Sequence, residues 1–330
     1  MSSQVEAPPV PTRRWPPEAG LALVVGLILA AVLGRPWLVG LFARPAAANW
    51  ATIFLAVTIQ AVPFLVLGVA VSGAIAAFVP PGTIARLLPR RPALAVPAAA
   101  VTGAVLPGCE CGSVPVAGRL VAAGVTPAAA LAFLLSAPAI NPIVLTATAV
   151  AFPGRPEMVL ARLLASLLAS IGVGLLWLGL GRDDLVRTGR RWEAPHGPRG
   201  HRFLATVQHD FLQAGGFLVV GAGTAATLQT LVPRQVVDSL AHAGPLSVLA
   251  LGLLAVLLAL CSEADAFVAA GLKQFSLTAR LAFLVVGPMV DVKLVALQAG
   301  TFSPGFAWRF APLTFAVAIG SAAIVGWWLL

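Results

Sequence analysis

The stretch Leu106-Pro107-Gly108-Cys109-Glu110-Cys111-Gly112-Ser113-Val114-Pro115 decides how the rest of this chain is read. It lies between two apolar runs, Ala93 to Leu106 and Val114 to Ala123. Each is short of the ~20 residues that cross a hydrocarbon core of about 30 Å. The stretch holds two of the three cysteines, together with an acid and a hydroxyl, among helix breakers. Thiols, a carboxylate and unpaired backbone are tolerated at membrane depth where they line a cavity.

Outward from it, apolar runs near 20 residues recur from end to end. The 330 residues are 59% hydrophobic and 10% charged, against about 25% charged in a soluble domain. Mean hydropathy is +0.95. These values describe an all-α polytopic membrane protein whose first partner is the lipid bilayer. The net charge of +9 is almost all arginine, Lys273 and Lys293 being the two lysines. In a soluble chain a pI near 11.3 would point to nucleic acid. In a membrane chain the arginines are topology determinants, and no nucleic-acid partner is expected. The cysteines form no CxxC frame, which argues against a disulfide scaffold or a structural zinc site. No nucleotide-binding loop is present, so ATP coupling would need a separate subunit, and no cofactor is expected.

In order, residues 1–18 read as a disordered cytoplasmic tail and 19–49 as an N-terminal transmembrane helix, Ala19 to Gly34, with its loop. Residues 50–180 form a first membrane repeat, 181–203 an arginine-rich cytoplasmic linker, and 204–330 a second repeat. Spans in the first repeat are expected at Trp50–Val79, Ala128–Phe152 and Met158–Leu180. In the second they are expected at Phe203–Leu231, Ala279–Leu297 and Phe306–Leu330, with a shorter run at Pro245–Leu260.

The duplication rests on unusual residues in register. At an offset of 150, Cys111 falls on Cys261, Pro138 on Pro288 and Asn141 on Asp291. Three residues more of offset bring Gln60 onto Gln213 and Phe64-Leu65 onto Phe217-Leu218. Arginines in the tail, at Arg86, Arg90 and Arg91, and in the linker place all three on the cytoplasmic side. The chain between Arg91 and Arg182 must then cross an even number of times. Two full spans supply that, so 93–123 enters and leaves on one face as a re-entrant hairpin or a pair of half-helices. Each repeat has an odd number of crossings, which makes the copies inverted. The competing count treats every short run as a span and makes the copies parallel. Inverted repeats with broken helices mark transporters whose site lies between the repeats near the midplane.

A buried cysteine is by default a small hydrophobe. Two thiols two residues apart, with a third at the related place, favour Cys109, Cys111 and Cys261 as ligands of a soft metal or metalloid. Glu110, Glu263, Asp265, Asp291 and Lys293 fall near membrane depth, where a charge costs about 2.5–3.5 kcal/mol on insertion scales. They either pair, Lys293 with Glu263 or Asp265, or form a proton relay. Asp291 and Lys293, two apart, are not expected to face each other on one helix. Ser113, Ser136, Asn141, Gln60 and Gln213 either bond across helices or line the path. Pro138 and Pro288 are expected to kink matched helices.

The segments PGCECGSVPVAG (107–118) and LLSAPAINP (134–142) resemble the signature region of the bacterial permease family that includes the organoarsenical exporter ArsP and the YraQ-like permeases. The resemblance covers roughly residues 50–330. It implies a multi-spanning permease of the inner membrane; in the arsenical exporters, trivalent methylated arsenicals are handled through cysteine. Cys109 and Cys111 match the first motif, and Asn141 with Pro142 the second.

The expectation is a secondary transporter, not an enzyme, that exports a small thiophilic solute by alternating access. Cys109, Cys111, Cys261, Glu110, Ser113, Asn141 and Asp291 are the substrate groups, and Glu263, Asp265 and Lys293 the proton-coupling groups. A metal-ion permease, or the membrane subunit of a two-part system, is the alternative. A thiol oxidoreductase using the Cys109/Cys111 pair is disfavoured by the absence of CxxC. A homodimer and a separate partner subunit both stay open.

Overall fold

The computed structural model describes residues 45–80, 82–105, 109–180, 183–186, 197–231 and 246–330. The expected tail, the first helix, most of the linker and Leu106-Pro107-Gly108 lie outside the described residues. Among the described residues all regular structure is helical. Among the described residues five helices are long and apolar enough to span a membrane.

The first half runs α1 (Pro45–Phe78), α2 (Thr83–Leu87), α3 (Pro92–Thr102), α4 (Glu110–Ala122), α5 (Pro127–Ile140), α6 (Pro142–Ala151) and α7 (Pro156–Leu180). The second runs α8 (Arg199–Leu231), α9 (Leu246–Leu258), α10 (Asp265–Gly271), α11 (Leu277–Val286), α12 (Val292–Thr301) and α13 (Pro304–Leu329). Setting aside the five-residue α2, the order long helix, two short helices, broken helix, long helix occurs twice among the described residues. The helix α8 begins at Arg199, inside the stretch read as linker.

Two broken helices form the centre. Every residue of α5 from Ala128 to Ile140 is buried, as is Leu281–Val286 of α11. A helix apolar on all faces belongs inside, surrounded by others. The breaks have a sequence cause. Pro142 has no N–H to donate, so the ladder stops at Asn141, whose side chain caps α6 by accepting from Val144 N at 3.0 Å. At the matching place Asp291 caps α12 by accepting from Leu294 N. Both ends of α12 lie 150 residues after those of α6. Pro138 stays inside α5, whereas Pro288 falls in the turn after α11. The expected pair of matched proline kinks is thus replaced by a pair of matched caps.

The long helices pack through small residues. On α1, Ala61, Leu65, Gly68, Ser72 and Ala76 are buried at helical spacing, while Leu55, Ile59 and Val66 face outward. A Cβ on Gly68 would lie 2.4 Å from the Gly112 backbone, so α1 and α4 meet backbone to backbone. The equivalent glycine on α8, Gly221, meets Lys293 Cα of α12 in the same way.

Relative direction is read from contacts. Along α1, Leu65 meets Gly215, Ser72 bonds Asp210, Gly73 meets Val207, and Ala76 bonds Arg202. Rising numbers on α1 meet falling numbers on α8, so the two are antiparallel. The same holds for α7 and α13, where Gly172 meets Val317 and Trp177 packs on Phe306 and Phe310. Corresponding helices run in opposite directions, and the halves are inverted.

The 93–123 segment is a hairpin. Gly82 N donates to Ala123 O at 3.1 Å, which puts its entry and exit on one face. The helix α3 runs alongside α5 in the same direction, with Val96 beside Ala128 and Ala132 at Gly174, and Gly103 beside Ser136. At about 1.5 Å per residue, α3 and α4 reach only ~16 and ~20 Å, short of a hydrocarbon core of about 30 Å. In the second half Ala255 sits beside Gly287, as Gly103 sits beside Ala137 in the first.

Candidate substrate site

Cys109 stands immediately before α4 in extended conformation, with Glu110 and Cys111 already in the first turn. The carbonyl of Cys109 accepts from Gly112 N at 3.1 Å and Ser113 N at 3.4 Å. The carbonyl of Cys261 accepts from Ala264 N at 2.9 Å and Asp265 N at 3.1 Å. The structural partner of Cys261 is therefore Cys109, 152 residues away, and not Cys111. The offset between copies falls from 153 at the first helix to 152 at the tips and 150 at the caps, because the connections differ in length.

All three cysteines are buried and free. One ligand atom from each of Cys109, Glu110 and Cys111 lies within 4.8 Å of the others. The Cys109 thiol also reaches both Cys111 and Cys261. Cys261 of the second half therefore lies near the Cys109 thiol, outside the tighter group of Cys109, Glu110 and Cys111.

Lys293, fully buried on α12, projects into this cluster. Its ammonium is ion-paired with Glu110 Oε1 and lies 3.4 Å from Asp291 Oδ2. It donates to Ala259 O at 3.1 Å and Leu260 O at 3.5 Å, and it is 4.0 Å from Cys261 Sγ. The expectation that Asp291 and Lys293 cannot face each other fails for a local reason. Asp291 is the cap, with φ −143° and ψ 168°, so its side chain turns back over the first turn of α12. The expected pairing of Lys293 with Glu263 or Asp265 is replaced by Glu110 and Asp291.

Asp265 belongs to a second cluster. Arg162, fully buried on α7, donates to Asp265 Oδ2 at 2.8 Å, Thr148 Oγ1 at 2.8 Å and Ser262 O at 3.2 Å. Buried charges persist only when paired and hydrogen-bonded. Here a first-half arginine holds the second hairpin tip. Glu263, next to it, is half-buried, and neither carboxylate oxygen has a hydrogen-bond partner among the described residues. Glu110 Oε2 also has none.

Of the remaining groups, Ser113, Ser136 and Asn141 bond within their own segments, while Gln213 bonds across helices. Ser113 Oγ donates to Glu110 O at 2.9 Å, and Ser136 Oγ to Phe133 O at 3.1 Å. Besides capping α6, Asn141 donates Nδ2 to Ala137 O at 3.0 Å. Gln213 donates to Gly300 O at 3.0 Å, whereas Gln60 is exposed. A third polar cluster joins α4, α1 and α8. Arg119 lies 3.4 Å from Asp210 Oδ2, and Ser72 Oγ donates to the same oxygen at 2.7 Å.

Arg162 and Asp210 are absent from the residues singled out in the sequence. Arg162 had a signal there, as a lone cation inside the run Met158–Leu180, a span read as ordinary. Asp210 lies between His209 and Phe211 in a span that carries several polar residues, so nothing local sets it apart.

Residues 46–326 match the family model ArsP_1, described as "Predicted permease". The UPF0718 protein YcgR of Bacillus subtilis (strain 168) is 36% identical over 287 residues, covering 83% of this chain and 96% of that protein. A Streptococcus mutans protein named "Putative two-component membrane permease complex subunit" is 32% identical over 282 residues, covering 83% of this chain and 94% of its own length. No solved structure matches the chain. A multi-pass helical chain with this match over most of its length belongs to the ArsP_1 family of predicted permeases.

Proposed function

We propose that this permease carries a small thiophilic solute, a trivalent organoarsenical or a soft metal species, through the cluster between its two inverted halves. The observation that supports the reading most is the convergence of the free, buried Cys109 and Cys111 with Glu110 within 4.8 Å, beside Cys261 of the other half. Thiolate selects soft species over the hard cations that oxygen ligands prefer. Glu110, Asp291, Ser113 and Asn141 shape the surroundings of that sulfur. In inverted-repeat transporters one half rocks against the other around a fixed midplane site, and a site built from both tips would be exposed to each side in turn. Efflux is the direction we assign. Proton coupling falls to Glu263, because Asp265 and Lys293 are engaged in ion pairs while both Glu263 oxygens lack a partner.

The test is flux in membrane vesicles with a panel of trivalent arsenicals and divalent metals. Cys111→Ser and Cys261→Ser should insert at the parent level and lose flux by tenfold or more, about 1.4 kcal/mol or greater at the transport barrier. Unchanged flux in both variants would remove the thiols from the mechanism. The name of the Streptococcus mutans relative supports a second reading, in which the chain is the membrane subunit of a two-component complex. The purified chain would then carry no flux alone, although its thiols still bind the cargo.

A further inference from the structure

The surroundings of the Lys293 ammonium have the composition of a cation-coordination site. Five acceptors converge on Nζ: Glu110 Oε1, Asp291 Oδ2 at 3.4 Å, Ala259 O at 3.1 Å, Leu260 O at 3.5 Å and Cys261 Sγ at 4.0 Å. Two carboxylates and one cation would suffice for a simple ion pair. The two carbonyls need a further explanation. They come from the unwound chain just after α9, at the helix end where the peptide dipoles present negative partial charge. Ala259 has φ +46°, a left-handed conformation that a residue with a Cβ rarely adopts, at the residue whose carbonyl points at the ammonium. Unwound carbonyls and half-helix C-termini are what coordinate small cations in transporters with broken helices.

We propose that Lys293 is the tethered occupant of a monovalent-cation site, its ammonium standing where a potassium-sized ion would otherwise sit between the hairpin tips. Glu110 comes from the first half, while Asp291 and the carbonyls come from the second, so the bound charge joins the halves. With the cation attached to α12, that junction requires no ion from solution. The inference builds on the placement of the site between the halves and is independent of the cargo.

Removing the side chain should open the site. Lys293→Ala, purified and kept without cargo, is compared with the parent by thermal unfolding in potassium, sodium, methylammonium and choline chlorides at equal ionic strength. The expected result is a saturable rise in Tm for the variant with potassium or methylammonium, and none with choline, which is too large to enter. The parent should respond to all four salts alike. Lys293→Met, which fills the volume without charge, should also be insensitive to the choice of cation. Adding Glu110→Gln to Lys293→Ala should move the midpoint to higher cation concentration. A Lys293→Ala chain that responds equally to all four salts, or that is not recovered folded in any of them, overturns the proposal. Because no thiophilic solute is present, that failure would leave the cysteine reading untouched.

Discussion

At the first hairpin tip, Cys109 closes the break and α4 begins with Glu110, Cys111 and Ser113; at the second, Cys261 closes it, with Ser262, Glu263 and Asp265 following. In both, the cysteine carbonyl accepts from the residues three and four ahead, although a turn over 262–264 precedes the second helix. The side chains differ. Only sulfur at the first position is shared, while thiol faces carboxylate at Cys111 and Glu263, and hydroxyl faces carboxylate at Ser113 and Asp265. Each tip is nevertheless held by a cation from the opposite half. Glu110 is paired with Lys293 and Asp265 with Arg162. Duplication fixed the backbone symmetry, and divergence kept the cross-brace while changing the residues that make it.

The most severe way to break this comparison is Arg162→Met. It leaves Asp265 buried without its cation, and breaking a buried pair costs roughly 3–5 kcal/mol. Thermal unfolding in detergent should show a marked fall in Tm, and Arg162→Met with Asp265→Leu should recover most of it. A single variant as stable as the parent would mean that the second tip is not held by arginine.

The matched caps sharpen the comparison at smaller scale. Asn141→Ala and Asp291→Ala each remove an N-cap, at a cost of about 0.5–2 kcal/mol. Asp291→Ala should be the more destabilising, because Asp291 also faces Lys293 at 3.4 Å. Equal shifts in the two would show that the Asp291 charge contributes nothing beyond its cap.

The smallest effect is expected outside both tips. Arg155 and Glu157 lie 3.9 Å apart in an exposed pair at the start of α7. Glu157→Gln should change stability by less than about 0.5 kcal/mol, since solvent screens such pairs. A larger loss of Tm would mean that the buried braces are not distinguished from surface pairs by their burial.

Much of the fold was legible because hydropathy and chain breaking are local. Five long apolar runs gave spans, whereas the expected span Ala279–Leu297 is broken into α11 and α12. The short runs flanking Cys109 gave the hairpin, and the arginine distribution gave the inversion that the α1–α8 contacts display. Asn141 and Asp291 were matched correctly by sequence, although their shared work is capping. The Cys111–Cys261 match was two residues out, since a single offset cannot follow connections of unequal length. Arg162 passed as part of an ordinary span because its partner lies 103 residues further on.

By itself the sequence determined that the chain is a helical membrane protein built from two opposed copies, with sulfur at a break in each. Burial, helix termination and charge bias depend on neighbouring residues, so they can be read along the chain. Which carboxylate meets which cation was decided only by the tertiary structure. An extended cap turned Asp291 back toward Lys293, while the inverted packing brought Lys293 to Glu110 at the first tip and Arg162 to Asp265 at the second. The Glu110–Lys293 and Arg162–Asp265 pairs join segments more than 100 residues apart, and no local pattern encodes them.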